Sequence, residues 1–303
     1  MQIIKSQNDR RQFKYIKLSN DLEVLLGSDP LTQRAAASLS VGIGSKDDDV
    51  EGIAHFLEHM LFMGSEKYPN ENDYGTYIKE NNGMSNAFTA DDHTNFYFSC
   101  VPEGLFKVLD IFAQFFISSL LKEDAVNREL NAVDSEYQNS LTSDAWRVEA
   151  AKQQVMRMDH PSSKFSCGCI ETLNIPNIRD KVLAFYNKYY SSHLMKLVVI
   201  GKESLDVLEQ NVINMFSGIP KRNVELNTNY GNLYDAPIYG KIIPMKDEHK
   251  LDMYWEFELD EDYDVYHIDS FISHIVGHEG KGSLFDSLYQ KFLVKSLCSG
   301  SEE

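Results

Sequence analysis

His55 and His59 stand four residues apart inside an almost wholly apolar run, IAHFLEHMLFMG, and no other stretch restricts the fold as tightly. In a helix both rings share one face, with Glu58 beside them three residues after His55. Ile53, Phe56, Leu57, Met60, Leu61 and Phe62 fill most of the other positions, so the helix is expected to be buried. Buried His, Glu and His must be paired or ligating, because an unsatisfied polar group is costly away from water. Two imidazoles at this spacing suit one Zn²⁺, and the neighbouring carboxylate suits removal of a proton from water. The competing reading is a surface helix with two satisfied histidines, and the apolar surroundings argue against it.

Bulk properties narrow the class. The chain has 303 residues, enough for one large or two ordinary domains with real cores. A net charge of −17 and a pI near 4.9 exclude a basic nucleic-acid-binding face. Four cysteines, Cys100, Cys167, Cys169 and Cys298, form neither a C-x-x-C pair nor a disulfide scaffold. Free thiols in a reducing compartment are the expectation, and no apolar leader or membrane span is read. Cytoplasmic location follows as the expectation.

The chain reads as strands mixed with helices. Leu22 to Leu26 and Ala35 to Ile43 are read as strands, followed by the histidine helix from about Ile53 and a second helix over Asn72 to Lys79. Ser85–Thr89 and Thr94–Val101 form a hairpin, and Pro102 opens a helix with Leu105, Leu109, Phe112 and Phe116 at helical spacing. One long helical pattern runs from about Glu123 to Met156. Helix 178–190, strand 194–200 and helix 203–216 complete the first unit. The expected fold class is α+β, a mostly antiparallel sheet flanked by helices. Residues 1–222 form the first domain, polar residues 223–237 a linker, and residues 238–303 part of a second similar domain. KIIPMK and LDMYWEFEL would open that second unit as strands, with helices over 269–275 and 283–297.

A catalytic zinc needs a third protein ligand and an open position. On the long helix Glu129 and Glu136 are seven residues apart, nearly two turns, beside the apolar stripe of Val126, Leu130 and Val133. Two carboxylates aimed inward need a positive partner. One of them would ligate the metal, and the other would orient a ligating histidine by accepting its second ring N–H. Pairing with Arg128, Lys122 or solvent explains one glutamate more easily than two.

The order H-x-x-E-H is the inverzincin signature. Together with HFLEHMLFMGSEKYPNENDY, SNAFTADDHTNFYF, NRELNAVDSEYQN, DAWR and YYSSHLMKLVVIGKESLD, it resembles the first domain of the insulysin branch of the pitrilysin/insulinase metallopeptidase family. The resemblance covers about residues 15 to 300. Processing peptidases of the same family share H-x-x-E-H but match SNAFT and DSE less well. The resemblance implies one Zn²⁺ per chain on His55, His59 and Glu136, Glu58 as general base, and Glu129 behind the ligands. It implies a zinc endopeptidase acting on small unfolded peptides. Members of that branch are much longer and enclose substrate between two halves, so the C-terminal half is an expected partner and the chain alone is expected to cleave feebly. The full-length form is compatible with a homodimer. The alternative is a peptide-binding or partner-docking module that keeps the fold without catalysis.

Substrate contacts are read separately. An extended peptide needs a free strand edge, and Ser85 to Thr89 lies between the site helix and the hairpin turn. The resemblance gives backbone contacts to Asn86, Ala87 and Phe88, with Phe88 also a candidate pocket wall or plain core. His274, Gly277 and His278 form a second tempting cluster, but glycines at 277, 280 and 282 point to a loop rather than a metal site. The resemblance makes that stretch an anchor for a substrate N-terminus.

Overall fold

Strict alternation of buried and half-buried residues builds the sheet. In β3 (Ala35–Val41) and β5 (Thr94–Cys100) every second side chain is buried, and β6 (Met195–Gly201) repeats the pattern. Such strands carry one apolar face each and need helices to cover it. A computed structural model describes residues 3–226, 230–257 and 266–301. In it β1 (Gln12–Lys17), β2 (Glu23–Ser28), β4 (Met84–Thr89) and the three strands above form one six-stranded sheet, ordered β1-β2-β6-β3-β5-β4. Every neighbouring pair is antiparallel except β2 with β6. Among the described residues, strand β4 therefore ends the sheet with one edge unpaired.

Helices α1 (Ile53–Leu61), α2 (Asp73–Glu80), α3 (Leu105–Ile117), α4 (Glu123–Ser140), α5 (Asp144–Val155), α6 (Ile170–Leu173), α7 (Ile178–Tyr189) and α8 (Leu205–Phe216) surround it. Phe96 and Phe98 of β5 stack edge-on against Phe116 and Phe112 of α3 in the core. Helix α1 packs on α4, α7 and β4. Its Ile53, Phe56, Leu57 and Leu61 have no accessible surface, so the helix that carries the histidines is locked in place.

Two readings of the sequence need correction here, and one strand is absent from them. Strand β1 was not anticipated, because its residues are mostly half-buried and lack a clean period. The expected helix over 123–156 is two helices, broken at residues 141–143. The run Ser140-Leu-Thr-Ser-Asp144 offers hydroxyl and carboxylate groups that compete for backbone bonds, and Ser143 takes an extended conformation before α5. Among the described residues, 238–257 contain no strand. Extended segments without a neighbour to pair with do not hold as strands.

The chain divides into two compact units, residues 1–248 and 249–303. Described residues of the second include α9 (Ile268–Val276) and α10 (Leu284–Tyr289), so the helix expected over 283–297 stops at Tyr289, and none of the described residues is buried.

Candidate metal centre

Helix α1 starts where it does because Asp48 caps it. The Asp48 carboxylate accepts from the backbone N–H of Gly52 at 2.8 Å and of Ala54 at 3.1 Å. From there His55 and His59 project on one face, their ring centroids 4.9 Å apart and nearly perpendicular. Helix α4 lies across that face and presents Glu129 and Glu136, two turns apart. His55 Nε2 lies 3.5 Å from one Glu136 carboxylate oxygen and His59 Nε2 lies 3.7 Å from the other. His59 Nδ1 faces Glu129 at 3.4 Å. Thus Glu136 faces both Nε2 atoms, and Glu129 stands behind one ring. The alternative partners are taken elsewhere: Arg128 pairs with Glu71, and Lys122 donates to the carbonyl of Pro69.

The donor set fits a zinc ion. One donor atom from each of His55, His59 and Glu136 can be chosen so that all lie within 4.8 Å of one another, the sole such group of three among the described residues. Direct charge-assisted hydrogen bonds would bring imidazole and carboxylate to about 2.7–2.9 Å. The observed 3.5 and 3.7 Å are longer. Two ligands on one tetrahedral zinc, each at about 2.0–2.1 Å, sit roughly 3.3–3.4 Å apart. The spacing therefore matches ligands flanking an ion better than it matches ion pairs.

Charge is distributed as such a centre requires. Burial alone would lower the His55 imidazolium, but the hydrogen bond it donates to Cys167, the facing Glu136 carboxylate and the Glu58 charge outweigh it and hold the ring up at about 10. A divalent ion would replace the proton that this acidic cage attracts. The Glu136 carboxyl is lowered, first by the His55 ring that faces it and then by the charges of both rings. Glu58 is buried, which pushes its carboxyl up, while the Thr89 hydroxyl and the two imidazoles pull it back. Thr89 Oγ1 donates to Glu58 Oε2 at 2.6 Å.

All of these groups line one cleft of about 1070 Å³, within the first unit, walled by α1, β4, α4, α5 and residues 163–167. On β4 the side chains of Ser85, Ala87 and Thr89 turn toward the helices, and Met84, Asn86 and Phe88 turn out. Phe88 is 46% exposed and borders the cleft, so it is not core. Trp146, 58% exposed, stands on the α5 wall.

The insulinase description, peptidase family M16, matches residues 23–159, and that of the peptidase M16 inactive domain matches residues 177–303. The chain is 41% identical over its full length to the peroxisomal insulin-degrading enzyme-like 1 of Arabidopsis thaliana, of which it covers 32%. It is 40% identical over 99% of its length to the human insulin-degrading enzyme, covering 31% of it. The chain belongs to the insulinase family, peptidase family M16. Another relative, the putative zinc protease mug138 of Schizosaccharomyces pombe, is 41% identical over 96% of the chain and 31% covered. The crystal structure of pitrilysin superposes with a TM-score of 0.83 at 29% identity, over 99% of this chain and 33% of that one. The six-stranded α+β sheet is thus the M16 fold, and the chain spans about a third of the length of the curated relatives it matches.

Other expected site residues lie in the second unit. His274 ends up on α9, but that helix stops at Val276, so His278 is beyond it and its Nδ1 accepts from the Gly280 N–H at 3.0 Å. Gly277 caps the helix, donating to Ser273 O. Both histidines are exposed, and they join no group of three metal donors among the described residues.

Three contributors escaped the sequence reading: Asp48, Thr89 and the Cys167 carbonyl. The alternation along β4 could have flagged Thr89, since it places the hydroxyl on the helix-facing side with Ala87. Nothing local signals the other two. Among the described residues, no helix is long and apolar enough to cross a membrane.

Proposed function

We propose that this chain carries the catalytic site of a zinc endopeptidase that hydrolyses small, unfolded peptides. The observation that supports it is the convergence of His55, His59 and Glu136 on one point, with Glu58 in the same cleft. Those three residues would hold the zinc, and Glu129 would keep His59 oriented through its Nδ1. Bound there, zinc supplies a Lewis acid for the scissile carbonyl and acidifies water.

Glu58 takes one proton from the attacking water as its oxygen bonds to the carbonyl carbon. As the C–N bond breaks, Glu58 returns that proton to the leaving amine. The Thr89 bond keeps the carboxylate from rotating away between those two transfers. The unpaired edge of β4 supports binding of the peptide as an added strand through the backbone of Asn86, Ala87 and Phe88, and Phe88 borders the space for a side chain. Such pairing fixes the scissile bond before reaction. In the second unit, His274, Gly277 and His278 would anchor a substrate N-terminus. We read 1–222 as the catalytic domain, 223–237 as the linker and 238–303 as the opening of a second domain.

Glu58→Gln is the direct test. It should retain one zinc per chain and lose about 10²- to 10⁴-fold in peptide hydrolysis, as loss of a general base does. Hydrolysis unchanged by the substitution would remove Glu58 from the mechanism. Hydrolysis unchanged by a chelator that strips the zinc would remove the metal. Peptide binding with no hydrolysis in zinc-loaded protein, both in this chain and in one extended at the C-terminus, would favour a non-catalytic docking module.

A further inference from the structure

Each ring of the histidine pair has its Nδ1 engaged and its Nε2 turned to Glu136. For His59 the Nδ1 partner is the Glu129 carboxylate. For His55 it is the backbone carbonyl of Cys167, 2.6 Å away and 112 residues further along the chain. A carbonyl can only accept, so Nδ1 of His55 carries a hydrogen and Nε2 is the atom left for a metal.

That carbonyl is brought there by a strap over the start of α1. Lys164 Nζ donates to the carbonyl of Asp48, the residue whose carboxylate caps the helix. Gly168 then lies directly against Gly52. A Cβ on Gly52 would come within 2.3 Å of the Gly168 Cα and 3.2 Å of the Cys167 carbonyl carbon. A Cβ on Gly168 would meet Leu173 Cδ1 at 2.6 Å. Both glycines also hold positive φ, 85° and 78°, where side chains are disfavoured. The two backbones can approach this closely only because neither residue has a side chain.

We infer that residues 164–168 are a positioning element of the metal centre, which docks on Gly52 and delivers the Cys167 carbonyl to His55 Nδ1. The bond sets both the tautomer and the rotation of the ring, so that Nε2 faces the zinc position. This rests on the zinc reading above. The strap works through its backbone. The Cys167 side chain is therefore dispensable under this inference.

The test is zinc affinity of the whole chain, by competition with a chromophoric chelator, for Gly52→Ala, Lys164→Met, Cys167→Ala and Leu208→Ala. Gly52→Ala pushes the strap off and should weaken zinc binding about 10- to 100-fold, the usual effect of losing an outer partner of a ligating histidine. Lys164→Met loosens one tether and should weaken it a few-fold. Cys167→Ala keeps the carbonyl and should stay within about twofold. Leu208→Ala, in the core of α8, should lower the melting temperature without altering affinity, which separates positioning from general destabilisation. In zinc-loaded parent protein the His55 Nδ1–H should give a slowly exchanging ¹H–¹⁵N signal, and Gly52→Ala should make it exchange fast.

The inference fails if folded Gly52→Ala binds zinc as the parent does, or if Cys167→Ala loses as much as Gly52→Ala. If Gly52→Ala does not fold, Lys164→Met decides, and parental affinity in that variant overturns the inference. A parent chain that takes up no zinc gives a different result: it overturns the reading of the site itself.

Discussion

Helices α1 and α9 each begin with Ile and carry a histidine followed four residues later by another, yet only α1 turns the pair into a site. In α1 both histidines lie within the helix and are half-buried, and α4 lays two carboxylates against the rings. In α9 the helix ends between the two histidines, both are exposed, and the ring centroids are 5.8 Å apart. His278 is occupied with its own turn. The i,i+4 pattern is therefore only half of a metal site. The other half is a second element that delivers acid to the rings where they are half-buried and held in place.

The contrast breaks most sharply at the ligands. Glu136→Ala should abolish stoichiometric zinc uptake, as removing one of three protein ligands does, while His274→Ala together with His278→Ala should leave it untouched. Metal analysis after gel filtration reads both. Zinc lost from the second variant would make α9 an equal partner and undo the comparison. A smaller effect belongs to Glu129→Gln, which removes the charge behind His59 and leaves the ligands in place. Affinity should fall about 10- to 100-fold with one zinc still bound at saturation. Full affinity in that variant would demote Glu129 to a bystander.

The smallest effect concerns how α1 is anchored. Burial pushes the Asp48 carboxyl up to about 7 from its ordinary 3.8, against the pull of its bonds from Gly52 and Ala54. Between those values the folded chain holds the proton more tightly than the unfolded chain does. Stability from this group is thus fully present below about pH 4 and is lost as pH rises through about 7. Thermal melts of metal-free protein should show it, and Asp48→Asn should flatten that pH dependence by on the order of 1–3 kcal/mol. Identical slopes in the two proteins would mean that Asp48 titrates normally.

Much of the fold is legible in the sequence because burial writes itself into period. Strands β3, β5 and β6 alternate and α8 carries a helical stripe, so these elements fall within two residues of their expected bounds, and α3 forms on the stripe expected for it, three residues after Pro102. The break between α4 and α5 was missed because the apolar spacing runs on through it, and only Ser140-Leu-Thr-Ser hints at a stop. The break matters: it starts α5 anew as a separate wall of the cleft, with Trp146 on it.

By itself the sequence determined the donors: two imidazoles on one helical face, a carboxylate beside them, and two more on a later helix at matching pitch. Those follow from local geometry, since residues four or seven apart in a helix share a face whatever the rest of the chain does. Only the tertiary structure decided which glutamate faces both rings, that Thr89 holds Glu58, and that the Cys167 carbonyl orients His55. Such contacts join residues 31 to 112 positions apart. A backbone carbonyl has no residue letter to betray it, so its place is set by the packing of two glycines and cannot be read before the chain folds.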